Sequence, residues 1–167
     1  MKPCQRFTFL ICFFSTVLFY NLVFVETKLL GAEKKWNAYT TKLNKNKTCF
    51  ITSEPIKTSG KFNQKNRGKP YVFVTNTKGG SNHEVSIKAG FNFKRNKDVI
   101  FDVDGKKTKL FPVDDRAWSE SSKIDRFLVQ SMRRGKILTV TGTSTPGNKI
   151  IDIFRGNRIT HINATGL

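Results

Sequence analysis

The stretch Asp98–Phe111, DVIFDVDGKKTKLF, decides the fold because its sequence fixes its own geometry. Asp104-Gly105 is typical of a two-residue type I′ turn, which needs positive φ at both central positions; Asp tolerates this and Gly adopts it freely. Closing the chain there produces the pairs Val103–Lys106, Phe101–Thr108 and Val99–Leu110. One face of the hairpin then becomes mostly apolar, with Lys106 at its open end. Because the register set by the turn also sorts the side chains, the stretch predicts a half-buried hairpin that lies on a second layer.

The rest of the chain has the pattern of short strands. Segments rich in β-branched and aromatic residues are Trp36–Leu43, Thr48–Ser53, Pro70–Thr77, Glu84–Gly90, Ile137–Gly142 and Ile150–Phe154. Pro70–Thr77 is apolar enough to predict burial on both faces, whereas the polar, glycine-containing Thr58–Gly68 predicts a loop. Arg158–Ala164 fits a last strand or a short helix equally well. Roughly seven or eight strands with one helix predict an all-β fold, an antiparallel two-layer β-sandwich.

One helix is predicted to begin at Ser122. Ile124, Phe127, Leu128 and Met132 fall at helical spacing on one face, which predicts a buried apolar stripe. Asp125 lies three residues after Ser122, as in a weak capping box. Gly135 follows Arg133 and Arg134 and is predicted to end the helix in the left-handed conformation.

The first 32 residues resemble an export signal. Lys2 and Arg6 precede the apolar run Phe7–Val25, and Leu30-Gly31-Ala32 offers a cleavage site. The apolar run would span about 28 Å as a helix, close to the thickness of a bilayer core. Met1–Ala32 is therefore either a cleaved signal, with the domain covering residues 33–167, or an uncleaved anchor through residues 7–25. Both interpretations place the domain in the periplasm or elsewhere in the envelope, with the inner membrane as the site of any anchor.

Charge is the strongest compositional signal. Lys and Arg number 30 against 12 Asp and Glu, a formal net charge of +18. Such a field attracts nucleic acid, anionic polymers and anionic membrane surfaces, although charges spread along a chain also serve solubility. Arg133, Arg134 and Lys136, together with the basic loop Lys57–Lys69, are the candidate anion-binding residues.

The remaining residues predict no catalytic, cofactor or metal site. Cys49 is the sole cysteine beyond the apolar leader, so no disulfide framework forms, and its apolar neighbours predict a buried strand position. His83 and His161 are the two histidines, too few for a zinc site.

Two further segments have a structural interpretation. Gly142–Pro146 begins like a nucleophile elbow, but Pro146 replaces its second glycine and the segment joins two strands, which predicts a hairpin turn. Trp36 could be a core residue or an exposed platform, and Trp118 is predicted to lie in the core.

A set of spaced residues carries a resemblance to a known family. The set comprises Trp36, Cys49–Pro55, Arg67, Tyr71, Val72, Val74, Val85-Ser86, Gly90, Phe93-Lys94, Leu110-Phe111, Ala117-Trp118, Leu128-Val129, Met132, Gly135, Gly142–Ser144, Gly147 and Asp152. In this order the chain resembles the invasion-associated locus B family of exported bacterial proteins, over roughly Trp36–Asp152. The resemblance implies a β-sandwich domain without an active site. After Asp152 the sequence departs from the family's usual ending.

Two function classes follow from these observations. The first is a non-enzymatic exported domain that binds a protein or other envelope partner, or helps to maintain the envelope. The alternative is a basic domain that binds anionic polymers or anionic membrane surfaces. A face of one charge sign interleaved with exposed aromatic residues would favour the alternative, and an even scatter of charge would favour the first.

Overall fold

A computed structural model describes residues 25–43 and 46–156, and these form eleven strands and one helix. The strands are β1 (Glu26–Glu33), β2 (Trp36–Leu43), β3 (Asn46–Ser53), β4 (Lys57–Gly60), β5 (Tyr71–Thr77), β6 (Glu84–Lys88), β7 (Val99–Val103), β8 (Lys106–Val113), β9 (Arg116–Trp118), β10 (Ile137–Thr143) and β11 (Lys149–Arg155). The helix α1 spans Ser122–Arg134. No described helix has the length and apolar character needed to cross a membrane.

The hairpin of β7 and β8 has the predicted register. Val99 lies opposite Leu110, Phe101 opposite Thr108 and Val103 opposite Lys106. The turn residues Asp104 and Gly105 have φ angles of 49° and 89°, as a type I′ turn requires. Val99 and Phe101 are fully buried. The prediction made from this stretch is therefore confirmed.

The strands form one antiparallel sheet in the order β1-β2-β3-β5-β6-β9-β8-β7-β10-β11-β4. Strand β8 belongs to both halves, because its first part pairs with β7 and Phe111–Val113 pair with β9. We call β1, β2, β3, β5, β6 and β9 the first layer, and β7, β10, β11 and β4 the second layer. Buried residues of both layers form a single hydrophobic cluster, and Trp36 of β2 donates from Nε1 to the Arg155 carbonyl of β11 at 3.2 Å. The all-β, antiparallel β-sandwich prediction is confirmed.

Helix α1 closes one part of the core largely through the predicted stripe, since Leu128 and Met132 are buried and Ile124 packs against the core. Its N-cap is Ser121, and its buried residues are Asp125, Leu128, Val129 and Met132, whereas Phe127 is 47% exposed. Asp125 is buried because its Oδ1 accepts hydrogen bonds from the Val85 backbone N–H at 2.9 Å and from Ser119 Oγ at 2.6 Å. The capping-box role for Asp125 is therefore wrong, and so is the buried position of Phe127.

Gly135 ends the helix with extended backbone angles (φ −76°) rather than the predicted left-handed conformation. Glycine is needed here for a different reason. A Cβ at this position would collide with the Val103 side chain. The residue allows the end of α1 to approach the β7–β8 hairpin closely.

Strands missed from the sequence lie mainly at the edges of the sheet. β4 occupies the start of the segment predicted as a loop, pairs with β11 and forms one edge. β5 was predicted to be buried on both faces, but its pattern alternates, with Val72 and Val74 in the core and Tyr71 and Phe73 half-buried on the other side. The second layer covers only the inner side of the first layer, so the outer aromatic residues of β5 remain at the surface.

Strand β1 overlaps the predicted leader. It pairs with β2 from Glu26↔Lys42 to Glu33↔Trp36. Cleavage after Ala32 would remove most of this strand and make β2 the edge of the sheet. Residues 1–24, the tail Arg158–Ala164 and His161 lie outside the described residues.

Candidate binding surfaces

The outer face of the first layer carries a row of aromatic side chains. Strand alternation places Tyr39 of β2, Phe50 of β3, and Tyr71 and Phe73 of β5 on this face, because their neighbours Ala38, Ile51, Val72 and Val74 point into the core. Tyr39 lies directly opposite Phe50. We call this row, extended by Trp118, Phe111 and Val113, the aromatic face.

The rings in this row contact one another across three strands. The Tyr39 and Phe50 centroids are 5.3 Å apart in a stacked arrangement, and Phe50 lies 6.1 Å from Phe73. Tyr71 adds a tilted contact to Phe73 at 5.7 Å. The Arg116 guanidinium lies 5.5 Å from the centre of the Phe73 ring, a cation–π contact. The rings thus form a continuous, mutually supported surface rather than isolated exposed residues.

Strands β8 and β9 extend the aromatic face. Trp118 stacks on Phe111 with centroids 6.1 Å apart. Trp118 is therefore half-buried on the outer side while its neighbour Ala117 is fully buried, so the prediction of a core tryptophan is wrong. Phe111 and Val113 are 42% and 49% exposed. Large apolar side chains at this level of exposure, grouped on one face, are typical of an interaction surface.

Charges on the aromatic face are mixed. Lys88 and Arg116 face each other on β6 and β9, and Glu84 lies opposite Thr75 on the same side. This face is therefore not of a single charge sign. It does not match the arrangement that would favour a polyanion site.

A small polar network borders the aromatic face. Tyr71 donates from its hydroxyl to Glu54 Oε1 at 3.0 Å, and Lys69 lies 3.8 Å from the same oxygen. Desolvation, followed by the hydrogen bond to Glu54, raises the pKa of Tyr71 above its ordinary value. The phenol accordingly stays protonated at neutral pH and remains a hydrogen-bond donor.

The outer face of the second layer has a different character. Ile150, Asp152 and Phe154 of β11 point inward, so the residues between them face outward. Isoleucine and threonine residues lie at the centre of this outer face, and basic residues lie around them. The basic members of this face, which we call the basic face, are Lys57, Lys107, Lys109, Lys149 and Arg155. Asp102 is an acidic residue on the same side. The aromatic and basic faces thus lie mainly on different layers and meet along β8.

The candidate anion-binding residues near the end of α1 lie at the surface. Arg133, Arg134 and Lys136 are all exposed. Arg134 lines a cleft of about 310 Å³ together with Lys106 and Asp104. The Asp104 carboxylate accepts the backbone N–H groups of Lys136 at 2.8 Å and Ile137 at 3.0 Å, and these bonds lower the pKa of Asp104. A carboxylate held in its charged form opposes an added anion in the same cleft.

The segment Lys57–Lys69 is anchored by a buried ion pair rather than arranged as a basic patch. Arg67 forms a two-bond contact with Asp152, from Nη2 to Oδ2 at 2.5 Å and from Nη1 to Oδ1 at 3.0 Å. Its guanidinium lies 5.1 Å from the Phe62 ring centre and 5.2 Å from that of Phe91. Both side chains of the pair are 6% exposed. Arg67 therefore holds this segment to the core.

Cys49, Ser144 and His83, which were considered for catalysis or metal binding, lie in a strand or in turns and form no active site among the described residues. Cys49 is buried in β3, and its Sγ lies 3.5 Å from Thr40 Oγ1. Ser144 lies in the turn that joins β10 to β11, so the predicted hairpin is confirmed. His83 is half-buried in the β5–β6 turn, where its backbone N–H donates to Asn76 Oδ1. Among the described residues no group of three or more potential metal ligands occurs.

Sequence reasoning missed the aromatic face for an identifiable reason. In an apolar run such as Tyr71–Val74, periodicity does not separate a core residue from an exposed ring. Strand register was the missing signal, since Tyr39 and Phe50 become neighbours once β2 and β3 are paired.

No family model, curated protein or solved structure matches the chain. The resemblance to the invasion-associated locus B family stays a prediction from the sequence. Two members of its residue set, Arg67 and Asp152, form the buried ion pair described above.

Proposed function

We propose that this chain is an exported, non-enzymatic domain of the bacterial envelope that binds a protein partner through the aromatic face. The observation that carries the proposal is a pair of ring groups on one face. Tyr39, Phe50 and Phe73 form the first group and Trp118 and Phe111 the second, and Arg116, beside Trp118 on β9, reaches the Phe73 ring. Aromatic residues and Arg are enriched in the centres of protein interfaces, where large rigid side chains bury much area at a small cost in conformational entropy.

The chemistry of the surface favours a protein over a charged polymer. Glu84 offsets one of the two cations Lys88 and Arg116, so this face itself carries little net charge and binding to it depends mainly on apolar contact. Arg116 is already seated over Phe73, which places a cation among the rings as in many interface centres.

Co-purification from solubilised envelope of the bacterium that encodes the chain tests the proposal. Phe111→Ser with Val113→Ser removes two exposed apolar side chains of the aromatic face. Phe127→Ser with Ile137→Ser is the matched control, since these residues are 47% and 41% exposed outside this face. A partner retained by the wild type and by the control but lost from the first variant is the expected result. Equal retention by both variants would reject the aromatic face as the binding surface.

Export is part of the same proposal and has its own test. It is supported by Lys2, Arg6 and the apolar run Phe7–Val25. We expect fractionation to find the chain in the envelope, and sequencing of its N-terminus to distinguish a signal cut after Ala32 from an anchor that retains β1. A cytoplasmic chain would contradict the proposed location.

Binding of anionic polymers is the second candidate function. It is favoured by the basic face, where five Lys and Arg residues surround isoleucine and threonine, with Asp102 and Asp98, the latter paired with Lys109 at 2.8 Å, as acidic neighbours. Binding there would fall steeply with salt, because each neutralised anionic group releases counterions. The salt dependence of binding to heparin measures this directly.

A further inference from the structure

Four lysines converge on one cavity at the end of the first layer. Lys28, Lys42, Lys47 and Lys78 line a cavity of about 420 Å³ with Glu26, Thr40 and Thr41. We call this cavity the lysine pocket. It lies apart from the aromatic row and from the exposed Arg133 and Arg134.

The pocket forms where the inner face of the first layer runs past the core. Along β2 the inward residues change from Trp36 and Ala38, which are buried, to the exposed Lys42. Along β3 the same change runs from the buried Ile51 to the exposed Lys47. The ends of β2 and β3 thus extend beyond the hydrophobic cluster, and their inward-facing side chains there are lysines.

Two of these lysines face each other directly. Lys42 is paired with Lys47 in the antiparallel register of β2 and β3. Like charges at directly opposed positions destabilise a sheet. The backbone N–H of Lys78 donates to the Lys47 carbonyl at 3.0 Å. This bond holds Lys78 beside Lys47, so a third amine lies near the pair. A protein keeps such an arrangement at a cost in stability, which a bound anion would offset.

The charge in the pocket is not neutralised by neighbours. Glu26, opposite Lys42, is the acidic residue of its lining. In the part of the chain that the structure describes, none of the four lysines forms an ion pair.

We propose that the lysine pocket binds a multiply charged phosphate group. Lysine ammonium groups act on phosphate as point charges with several donors each, and four of them suit a ligand with more than one negative charge. The volume lies within the range of small-molecule sites. Free di- or polyphosphate and the phosphorylated headgroup of a lipid share this chemistry.

Calorimetric titration of the full-length protein, purified in a mild detergent, with inorganic pyrophosphate tests the proposal. We expect Lys42→Ala with Lys47→Ala to weaken binding by about tenfold or more, because charge-assisted contacts are lost. Lys94→Ala with Lys97→Ala removes the same charge from an exposed segment outside the lysine pocket and the basic face and is the matched control, expected to change affinity less than about twofold. Equal losses in the two pairs, or no measurable binding by the wild type, would overturn the site.

A charge reversal separates a binding role from a structural one. Lys47→Glu places an acid opposite Lys42, so the free protein should melt at the same or a higher temperature while pyrophosphate binding is lost. A variant that still binds pyrophosphate as the wild type does, or that melts lower, would contradict the role assigned to this lysine pair.

Vesicles distinguish the two sources of phosphate. If the natural ligand is a headgroup, binding to vesicles that contain a phosphoinositide should be displaced by pyrophosphate and weakened by Lys42→Ala with Lys47→Ala. Binding of pyrophosphate without such vesicle binding assigns the pocket to a free phosphate compound. Neither outcome involves the aromatic face, so the pocket and the proposed protein partner fail or stand separately. Lys28 and Glu26 lie on β1, so the complete pocket requires a chain that is not cleaved after Ala32.

Discussion

Breaking the buried pair of Arg67 and Asp152 should destabilise the domain more than any surface change. The Arg67 side chain is 6% exposed in the wild type, and Asp152→Ala leaves its guanidinium with the Ala89 carbonyl, now 2.9 Å away, as a partner but without a counter-charge. Removing one partner of a buried ion pair costs about 3–5 kcal/mol, a large part of the stability of an ordinary domain. Thr58 also loses its acceptor, since its hydroxyl donates to Asp152 Oδ1 at 2.6 Å. Urea denaturation of the purified variant measures the loss.

A double-mutant cycle tests the reasoning behind this number. Arg67→Met keeps an apolar stem between Phe62 and Phe91 and removes the charge, with a similar expected cost of about 3–5 kcal/mol. Combined with Asp152→Ala, it should cost about as much as either single change, because no unpaired charge remains. Additive losses in the double variant, or a loss below about 1 kcal/mol in Asp152→Ala, would refute the account of this pair.

Three further outcomes are expected. Phe101→Ala should cost about 3–5 kcal/mol in a denaturant titration, because the ring is fully buried at the centre of the β7–β8 hairpin; a loss below about 1 kcal/mol would disprove that position. Asp104→Asn should melt lower than the wild type at neutral pH. The lowered folded pKa gives stability above the unfolded value that is lost as pH falls, so melting temperatures should converge below about pH 4; a gap independent of pH would contradict this. Heparin binding should weaken roughly a thousandfold between about 50 and 200 mM salt, and Arg133→Ala with Arg134→Ala should reduce it no more than Lys107→Ala with Lys149→Ala; a much larger loss in the arginine pair would show a localised site there.

Local signals made one part of the fold predictable. The Asp104-Gly105 turn determines the register of β7 and β8 without reference to distant residues, so the pairing and the buried face follow from the sequence. β2 has the predicted bounds for the same kind of reason, since its β-branched and aromatic residues lie between polar turns.

Tertiary contacts decided what the sequence did not show. The buried face of α1 includes Asp125 because the Val85 N–H, forty residues earlier, needs an acceptor. β4 is a short polar strand that exists through its pairing with β11, and no alternation within four residues marks it. β1 was assigned to the leader because its pairing with β2 is not visible in composition.

The candidate sites were predictable to a lesser degree. The sequence identified an excess of basic residues but not their division between the basic face and the lysine pocket, which depends on register across several strands. It pointed to Arg133, Arg134 and Lys136, which the structure places at the surface beside a charged Asp104. The aromatic face required the pairing of β2, β3 and β5 before its rings became neighbours.

Site-specific photo-crosslinking in living cells tests the central claim most directly. A photoreactive amino acid placed at Phe111 or Val113 samples the aromatic face, and the same amino acid at Phe127 or Ile137 samples surfaces of similar exposure elsewhere. We expect one protein adduct of the same mass from Phe111 and Val113 and none of that mass from the other two positions. An adduct pattern shared by all four positions, or adducts confined to Phe127 and Ile137, would contradict it.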